Sequence, residues 1–445
     1  MKQYLSIPVM LILLFVNTAA KSQEVWSLQK CIDYALENNI QIKQGVLNTQ
    51  YYGNELNQAK SNKHPNLSAG FSNDINYGRS LSYDNTYQNV NSNNTTASLS
   101  TSVTLWNGSV LSNQVKKADL DLQASLQDLQ KAKDDIMLNI AAAYLEILFA
   151  DELVAVAADQ LEVTKLQIDR TSKLVDAGSL AKGSLLEIEA QLAREELQLV
   201  NEQNSLQLAY LNLYQLLELP STESFKIEKP NLPTLGSDQT MLNSMDIFKM
   251  AVDVRPEIKS AVYKLQSAEK QLAIAKGYQY PTLSFGANYY NSYNNKYKDI
   301  TGASIAFSDQ IKNNERYGFG FDLRIPIYSR KQVKNGISNA SIQKDNFDFQ
   351  LQSAKNLLRK DIEQAFTNAF AALKRYNANE KAVLSMVEAF RYTEEKFNVG
   401  MVNSVEYNQS KNNLTVAKSN LLQAKYEYIF RTKILDFYAG KPIEL

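Results

Sequence analysis

The sequence contains few of the residues from which catalytic and metal centres are built. Its 445 residues include one cysteine and one histidine, Cys31 and His64. One cysteine cannot form a disulfide within the chain, and one histidine leaves little for metal binding or acid–base catalysis. A nucleophile beside a base, a metal-ligand spacing and a phosphate-binding loop are also missing. We therefore predict a protein that is not an enzyme and needs no metal and no cofactor.

Neither sign of charge is in excess, and the chain is not apolar overall. There are 47 basic and 47 acidic residues, so no basic surplus is available to bind nucleic acid. The mean hydropathy is −0.34, which by itself favours a soluble protein. Membrane β-strands escape such an average, because their residues alternate between an apolar and a polar face. The pattern of the strands therefore determines whether a soluble or a membrane protein is predicted.

Long apolar runs are absent except near the N terminus, at residues 7–16. That run is too short for a bilayer-spanning helix, which needs about 20 residues. Lys2 precedes the run and small residues follow it, as in a secretory signal peptide. We predict a signal peptide at residues 1–22, cleaved near Ser22; the alternative is a buried N-terminal helix. Cys31 lies beyond this point, so a lipid anchor on an N-terminal cysteine is not expected.

The chain contains an internal duplication. A shift of 216 residues aligns identical residues early in each half, and after a polar stretch the shift becomes 222. The matched pairs include Ala59 with Ala275, Lys60 with Lys276, Pro65 with Pro281, Gly178 with Gly400, Leu192 with Leu414 and Leu213 with Leu435. A register held over such lengths indicates two copies of one unit. We predict repeats at 23–222 and 242–445, joined by a linker at 223–241.

Each repeat has a medium helix, two strands around a polar loop, and a long helical hairpin. Residues 109–176 contain neither proline nor glycine, so one helix about 100 Å long is predicted there. Leucines every seven residues in the return segment indicate coiled-coil packing. The predicted helices are Ser27 to Asn62, Ser109 to Asp176 and Leu185 to Leu213 in the first repeat, and Leu242 to Gly277, Arg330 to Asn398 and Val405 to Ala439 in the second.

Four segments alternate strictly between apolar and polar residues, which is typical of strands with one apolar face. They are predicted at 67–77, 98–105, 283–289 and 317–327, with polar loops at 77–96 and 294–316. Most approach the roughly 9–11 residues of a tilted membrane strand. A strand that faces a soluble sandwich core is the alternative. Four strands cannot close a barrel, and lipid forbids an open sheet edge, so several copies must share one barrel.

The order of these elements resembles the TolC-like outer-membrane efflux family, also called outer membrane factors. The resemblance spans the whole chain after the signal peptide. Its marks are Leu28-x-x-x-Ile32-x-x-Ala35-Leu36-x-x-Asn39, Ala59-Lys60 leading to Pro65-x-Leu67, Leu105-Trp106-Asn107-Gly108, Ile325-Pro326-Ile327-Tyr328 and Phe397-Asn398-Val399-Gly400. No mark is specific alone, but their order and duplication are.

The resemblance implies an α+β membrane protein in the outer membrane of a Gram-negative bacterium. Four β-strands per chain would contribute to a trimeric twelve-stranded β-barrel, continued by coiled-coil helices that form a periplasmic tunnel. Such a homotrimer would contact outer-membrane lipid and work with a periplasmic adaptor protein. The inner-membrane transporter would be of the resistance-nodulation-division (RND), ATP-binding cassette (ABC) or major facilitator (MFS) type. The exported substrate would be chosen by those separate chains.

The resemblance also implies a gate at the hairpin tips, which the sequence puts at Gly178 and Gly400. Family members often constrict this end with a ring of acidic side chains. Glu406 matches one acidic position, whereas Gln409 stands where a second acid is expected, and Ser184 occupies the equivalent of Glu406 in the first repeat. The ring should therefore be thinner than usual. Glu406 as an ordinary solvated helix residue is the alternative.

Two other functions compete with the export duct. A soluble periplasmic coiled-coil adaptor or structural protein would explain the helices but not the alternating strands, and it would be released from cells without detergent. An enzyme would require the reactive constellations that the sequence lacks.

Overall fold

The computed structural model describes residues 25–81, 85–89, 91–219, 225–230 and 243–443. The predicted signal peptide lies outside the described residues, and so does the predicted linker except for 225–230. In chain order the elements are β1 (Val25–Trp26), α1 (Leu28–Asn38), α2 (Ile40–Ser61), β2 (Asn66–Asn76), β3 (Arg79–Leu81), β4 (Tyr87–Asn89), β5 (Ser92–Trp106), α3 (Val110–Asp176), α4 (Lys182–Leu216), β6 (Lys226–Ile227), α5 (Ser244–Val254), α6 (Pro256–Gly277), β7 (Thr282–Asn294), α7 (Phe307–Asn313), β8 (Arg316–Arg324), α8 (Gln332–Asn398) and α9 (Ser404–Tyr438).

The four predicted strands are confirmed as β2, β5, β7 and β8, which form one antiparallel sheet in that order. Register pairs such as Leu99 with Tyr289 and Phe285 with Phe321 bring the apolar side chains onto one face. That face is uncovered in the single chain, where Phe319 is 83% and Phe321 is 71% exposed. The sheet therefore encloses no core of its own, and the sandwich alternative is wrong.

Two strand ends differ from the prediction, because particular side chains rather than hydrophobic alternation determine where these strands begin or end. β5 begins at Ser92, inside the predicted polar loop, because Thr95 and Thr96 hydrogen-bond to Asn73 and Ser72 across the ladder at 2.9 and 2.7 Å. β8 ends at Arg324, three residues earlier than expected. Proline at the position after next cannot donate a ladder hydrogen bond.

The second predicted polar loop contains a helix that the sequence analysis missed. The Gln310 side chain, 2% exposed, fixes α7 by accepting from the backbone N–H of Asn294 and donating to the carbonyls of Asn294 and Ile305, each at 2.9 Å. Phe307 packs on Tyr293 with ring centroids 5.1 Å apart. One buried amide therefore organises a segment whose composition predicts only a loop.

The prediction of one unbroken first helix in each repeat is wrong. The chain turns at Asn39 and at Arg255, where ψ is 131° and 132°. The Asn39 side chain accepts hydrogen bonds from Gln41 and Ile42 and thereby starts α2. In the second repeat Pro256 takes the first helical position, and proline disfavours helix in the residue before it. The same break is thus produced by a side-chain cap in the first repeat and by a proline in the second.

Both breaks are anchored to the end of a return helix. Asn39 donates to the carbonyl of Leu216 at 3.2 Å. Arg255 lies 4.2 Å over the ring of Phe437 and pairs with Asp134 on α3 at 3.2 Å. Asp134 is buried, and this burial raises the pKa of its carboxyl group although Arg255 opposes the shift. These joints fix the short helices against the long hairpins.

The long hairpins agree with the predicted bounds to within a few residues. α3 and α8 each contain 67 residues, about 100 Å of helix, and α4 and α9 each contain 35. Ile140 and Ile147, seven residues apart on α3, and Leu213, in the leucine series of α4, have no exposed surface and lie in the largest apolar cluster. That cluster also contains Cys31, which is a small buried core residue. Among the described residues, no helix is long and apolar enough to cross a membrane.

Left-handed backbone occurs at corresponding places in the two repeats, but the residue types differ. After α9 the left-handed residue is Gly440, with φ 82°; at the equivalent place after α4 it is Glu218, with φ 56°. Both ends have the paired hydrogen bonds of a Schellman motif. A side chain in this conformation costs roughly 1–2 kcal/mol, so the first repeat carries strain that the second avoids.

We predict that Glu218→Gly raises the thermal stability of the purified protein, by about 0.5–1 kcal/mol after the entropy of glycine in the unfolded chain is counted. Removing a carboxylate from the negative end of α4 acts in the same direction. Glu196→Gly, at an exposed position inside α4, is the matched control and should cost about 1 kcal/mol. Equal losses in the two variants would show that Glu218 is not strained.

Candidate gate at the hairpin tips

Both hairpin tips close with a Schellman motif around glycine. At the first tip Gly178 donates to Val175 at 2.9 Å and Ser179 to Leu174 at 2.8 Å. At the second, Gly400 and Met401 make the equivalent bonds to Phe397 and Lys396 at 3.1 and 2.9 Å. The two glycines have φ of 74° and 76°, the left-handed conformation that glycine adopts without a steric penalty. Equivalent turns therefore end α3 and α8.

The predicted constriction residues follow these turns. Glu406 is exposed in the first turn of α9, where its backbone N–H donates to the capping Asn403 side chain at 2.9 Å. Gln409 is exposed one turn later and donates to Asn413 at 3.0 Å. Ser184 is half-buried in the first turn of α4. In the part of the chain that the structure describes, no hydrogen bond joins Ser184 to the other two, so one chain does not assemble a ring.

A buried polar network behind the tip was missed by the sequence analysis. Lys411, five residues after Glu406, pairs with Glu195 on α4 at 3.2 Å; the two side chains are 7% and 5% exposed. The Lys411 ammonium also donates to the Thr164 hydroxyl on α3 and, at 2.8 Å, to the carbonyl of Gln160. The network thus joins α9 of the second repeat to both helices of the first hairpin.

The ion pair is saturated with hydrogen bonds, as a buried pair must be. Glu195 accepts from Thr164 at 2.5 Å, from Gln191 at 2.9 Å and from Gln160 at 3.0 Å. Burial lowers the pKa of Lys411, although the Glu195 carboxylate opposes this shift. Because desolvation nearly cancels the attraction, such a pair contributes little net stability but is costly to break on one side.

Two further contacts hold the second tip to the first hairpin. Arg170 near the end of α3 donates to Asn398 at the end of α8, at 2.6 Å. Ser404 at the start of α9 donates to Glu187 on α4. Within the second hairpin, Tyr407 is 2% exposed and lies 4.8 Å from the ring of Phe397, and burial raises the pKa of Tyr407 to about 12. The tip is therefore fixed by polar contacts between hairpins and by aromatic packing within one.

The duplication gives no clue to the network, because its residues have no partners in the other repeat. A shift of 222 residues relates Lys411 to Glu189, which is exposed, and Glu195 to Ala417. A usable signal is the buried stripe of α4, where Gln191 and Glu195 follow Ile188 at helical spacing. Two polar residues in a row of core positions indicate a buried polar contact.

We expect Glu195→Leu to destabilise the folded protein by about 3–5 kcal/mol, because it leaves the Lys411 ammonium buried without a counter-charge. The double variant Glu195→Leu, Lys411→Met should recover most of the loss, since both charges are then replaced by apolar groups. Glu196→Leu on the exposed side of α4 is the control, expected within about 0.5 kcal/mol. Thermal unfolding measures all three. A single variant no worse than the control would contradict a buried pair.

Comparisons with known proteins agree with this architecture. A family model described as outer membrane efflux protein matches the chain twice, at residues 31–218 and 248–441. The outer membrane protein TolC of Salmonella enteritidis is 24% identical over 99% of this chain and 86% of its own length. The toxin and drug export protein A of Aggregatibacter actinomycetemcomitans is 21% identical over 90% of this chain and 83% of its own. The outer membrane protein VceC of Vibrio cholerae has a TM-score of 0.79 at 17% identity, over 94% of this chain and 97% of VceC.

These matches confirm the predicted resemblance, the duplicated α+β membrane-protein fold and the location in the outer membrane of a Gram-negative bacterium. The two matched segments together cover most of the chain. The chain belongs to the outer membrane efflux protein family, and its function is that of an outer-membrane export duct.

Proposed function

We propose that three copies of this chain form one passive duct, with no enzymatic activity of its own. They would share a twelve-stranded barrel in the outer membrane and a helical tunnel across the periplasm. The observation that carries the proposal is the sheet order β2-β5-β7-β8, whose outer strands β2 and β8 have no further strand beside them in the described residues. An unpaired edge costs several kcal/mol per buried backbone group in lipid. Pairing β8 of one copy with β2 of the next removes every edge.

The helices support the same ring. Within the chain α3 packs along both α2 and α6, whereas α8 packs along α6 and makes no comparable contact with α2 in the described residues. Because α8 is the copy of α3, it should also pack along an α2. That α2 would come from a neighbouring copy of the chain. Exposed apolar side chains lie on both free helices, including Leu47 (63%) and Tyr51 (58%) on α2, and Ile342 (61%) and Phe349 (66%) on α8. A neighbouring copy would cover both.

The gate would lie at the inner end of this duct, where Glu406 of three copies would surround the axis. Gln409, one turn further along, would add a polar but uncharged ring. The network of Lys411 and Glu195 ties α9 to the first hairpin and would thereby set how far Glu406 projects toward the axis. We propose that an opening movement of α9 must break this network.

A periplasmic adaptor and an inner-membrane transporter would complete the export system. Relatives are named for toxin and drug export and for protease secretion. For this chain we propose an adaptor contact at the tips around Gly178 and Gly400, where backbone turns are exposed and added side chains would meet open space. The transporter would be of the RND, ABC or MFS type, and it would choose the cargo.

The duplication allows a sharp test of the ring. Within one chain, Ser260 on α6 donates to Asp128 on α3 at 2.5 Å. The shift of 222 relates Asp128 to Gln350 on α8, and the shift of 216 relates Ser260 to Gln44 on α2. In the proposed ring, Gln350 of one copy would therefore lie beside Gln44 of the next. Both glutamines are exposed. The double variant Gln44→Cys, Gln350→Cys should give, on mild oxidation in the outer-membrane fraction, a non-reducing ladder that stops at trimer. The native Cys31 is buried and should not interfere.

The matched control is Gln44→Cys, Gln343→Cys, which is displaced by seven residues or about 10 Å along α8. It should give no cross-link. A ladder ending at dimer would contradict a three-membered ring, and recovery of the chain as a soluble periplasmic monomer would contradict the duct and favour the adaptor alternative.

The gate is tested by conductance of the purified protein in planar bilayers. Glu406→Ala should raise the resting conductance and weaken block by divalent cations added on the tip side. A single charge about 4 Å from a bound ion contributes about 1 kcal/mol or more, so the affinity should fall at least about fivefold. Asp176→Ala, an exposed acid at the other tip, should change neither property. Unchanged divalent block in Glu406→Ala would leave that residue an ordinary surface charge.

A further inference from the structure

The four junctions between strands and helices lie at one end of the sheet. Register pairs link Asn66 with Ser102, Trp106 with Leu283, and Thr282 with Arg324. The junction segments 60–65, 106–109, 276–281 and 324–334 therefore form a band between the sheet and the long helices. We call this band the basic collar.

The collar has a charge composition unlike the rest of the chain. Its four segments contain seven lysines and arginines and no aspartate or glutamate, although the whole sequence has 47 of each sign. The seven are Lys60, Lys63, Lys276, Arg324, Arg330, Lys331 and Lys334. All seven are exposed, and none forms an ion pair with another described residue. The loops at the other end of the sheet, 77–96 and 294–316, are mixed, with five basic and four acidic residues.

Aromatic side chains accompany the cations. Trp106 and Tyr280 are about half exposed and contact each other edge to face, with ring centroids 6.2 Å apart. Tyr278 and Tyr328 are exposed nearby in the same junctions. Tryptophan and tyrosine collect where a membrane meets water, because their rings are apolar and their N–H or O–H groups are polar. The collar therefore sits at the depth of lipid headgroups when the apolar sheet face lies in hydrocarbon.

Two of the cations occupy a backbone conformation that does not suit them. Arg330 and Lys331 have φ of 49° and 64° in a turn closed by a 2.8 Å bond from Gln332 to Ser329. The equivalent turn of the first repeat contains Gly108 and Ser109. Consecutive left-handed residues without glycine are strained, and such strain persists where the side chains serve another purpose. Here the side chains are two exposed cations.

We propose that the basic collar binds the anionic headgroups of phospholipids in the leaflet that faces the periplasm. Exposed ammonium and guanidinium groups would donate to lipid phosphates, while their aliphatic stems follow the apolar surface. The occupant is lipid rather than an acidic protein because the cations share their junctions with exposed aromatic residues and follow or precede the apolar strands in the chain. This inference rests on the proposed placement of the sheet in the membrane.

Trp106 provides a direct probe. The protein carrying Trp26→Phe retains Trp106 as its only tryptophan and is reconstituted in vesicles of phosphatidylcholine and phosphatidylglycerol, one of which has brominated acyl chains that quench tryptophan on contact. The measurement is repeated with the bromine on the other lipid. Comparing the quenching of Trp106 in the two cases gives the relative affinity of the collar for the two headgroups. We expect a preference for phosphatidylglycerol of about fivefold or more, which 0.5 M salt reduces.

Arg330→Gly with Lys331→Ser restores the turn of the first repeat. It should reduce the preference at least twofold while it raises thermal stability, two opposite changes that a purely structural role would not produce. Lys296→Gln with Lys312→Gln removes two charges from the outer loops and should leave the preference unchanged. Equal quenching by both lipids, or a preference that the collar variant retains, would overturn the lipid site. A chain that does not enter the vesicles would instead overturn the proposed duct.

Discussion

Backbone hydrogen bonding in lipid is the constraint on which the proposed assembly depends. In the described residues, the large sheet of one chain has four strands and two unpaired edges, and hydrocarbon offers no water to satisfy those edges. Closure by copies of the same chain satisfies them without a second kind of subunit, because each edge meets the complementary edge of an identical neighbour. The contact is heterologous, so the same surface pair repeats around the ring. The free faces of α2 and α8 lie below these edges and follow the same rule.

Much of the fold was predictable from sequence, because the hydrophobic spacing is regular and occurs in both repeats. Hydrophobic spacing of two and of seven residues located the four strands and both hairpins, since those patterns follow directly from strand and helix geometry. The breaks at Asn39 and Arg255 escaped because neither interrupts the apolar pattern; one depends on a side-chain cap, the other on the proline that follows. The α7 helix escaped because a single buried glutamine, Gln310, holds it in place.

The tip was predictable in part for a related reason. Gly178 and Gly400 mark the turns, since a left-handed residue at a helix end favours glycine. The pairing of Lys411 with Glu195 joins different repeats and has no copy, so internal comparison cannot reveal it. Long-range polar contacts depend on which helix faces which, and this is a tertiary property. Repeats that share a backbone have thus diverged where they touch each other, at the network behind the tip and at the joint of Arg255.

The short parallel pair of β1 and β6 has a consequence for the two ends of the first repeat. Val25 pairs with Lys226, and Trp26 stacks on Phe225 with ring centroids 4.7 Å apart. The Tyr144 hydroxyl on α3 lies within hydrogen-bonding distance of the carbonyls of both Trp26 and Glu228, at 3.2 and 2.7 Å. The segment before α1 and the segment after α4 are therefore held side by side against the middle of α3. The two ends of the first repeat are joined to each other, so that repeat is closed on itself before the chain continues into the second.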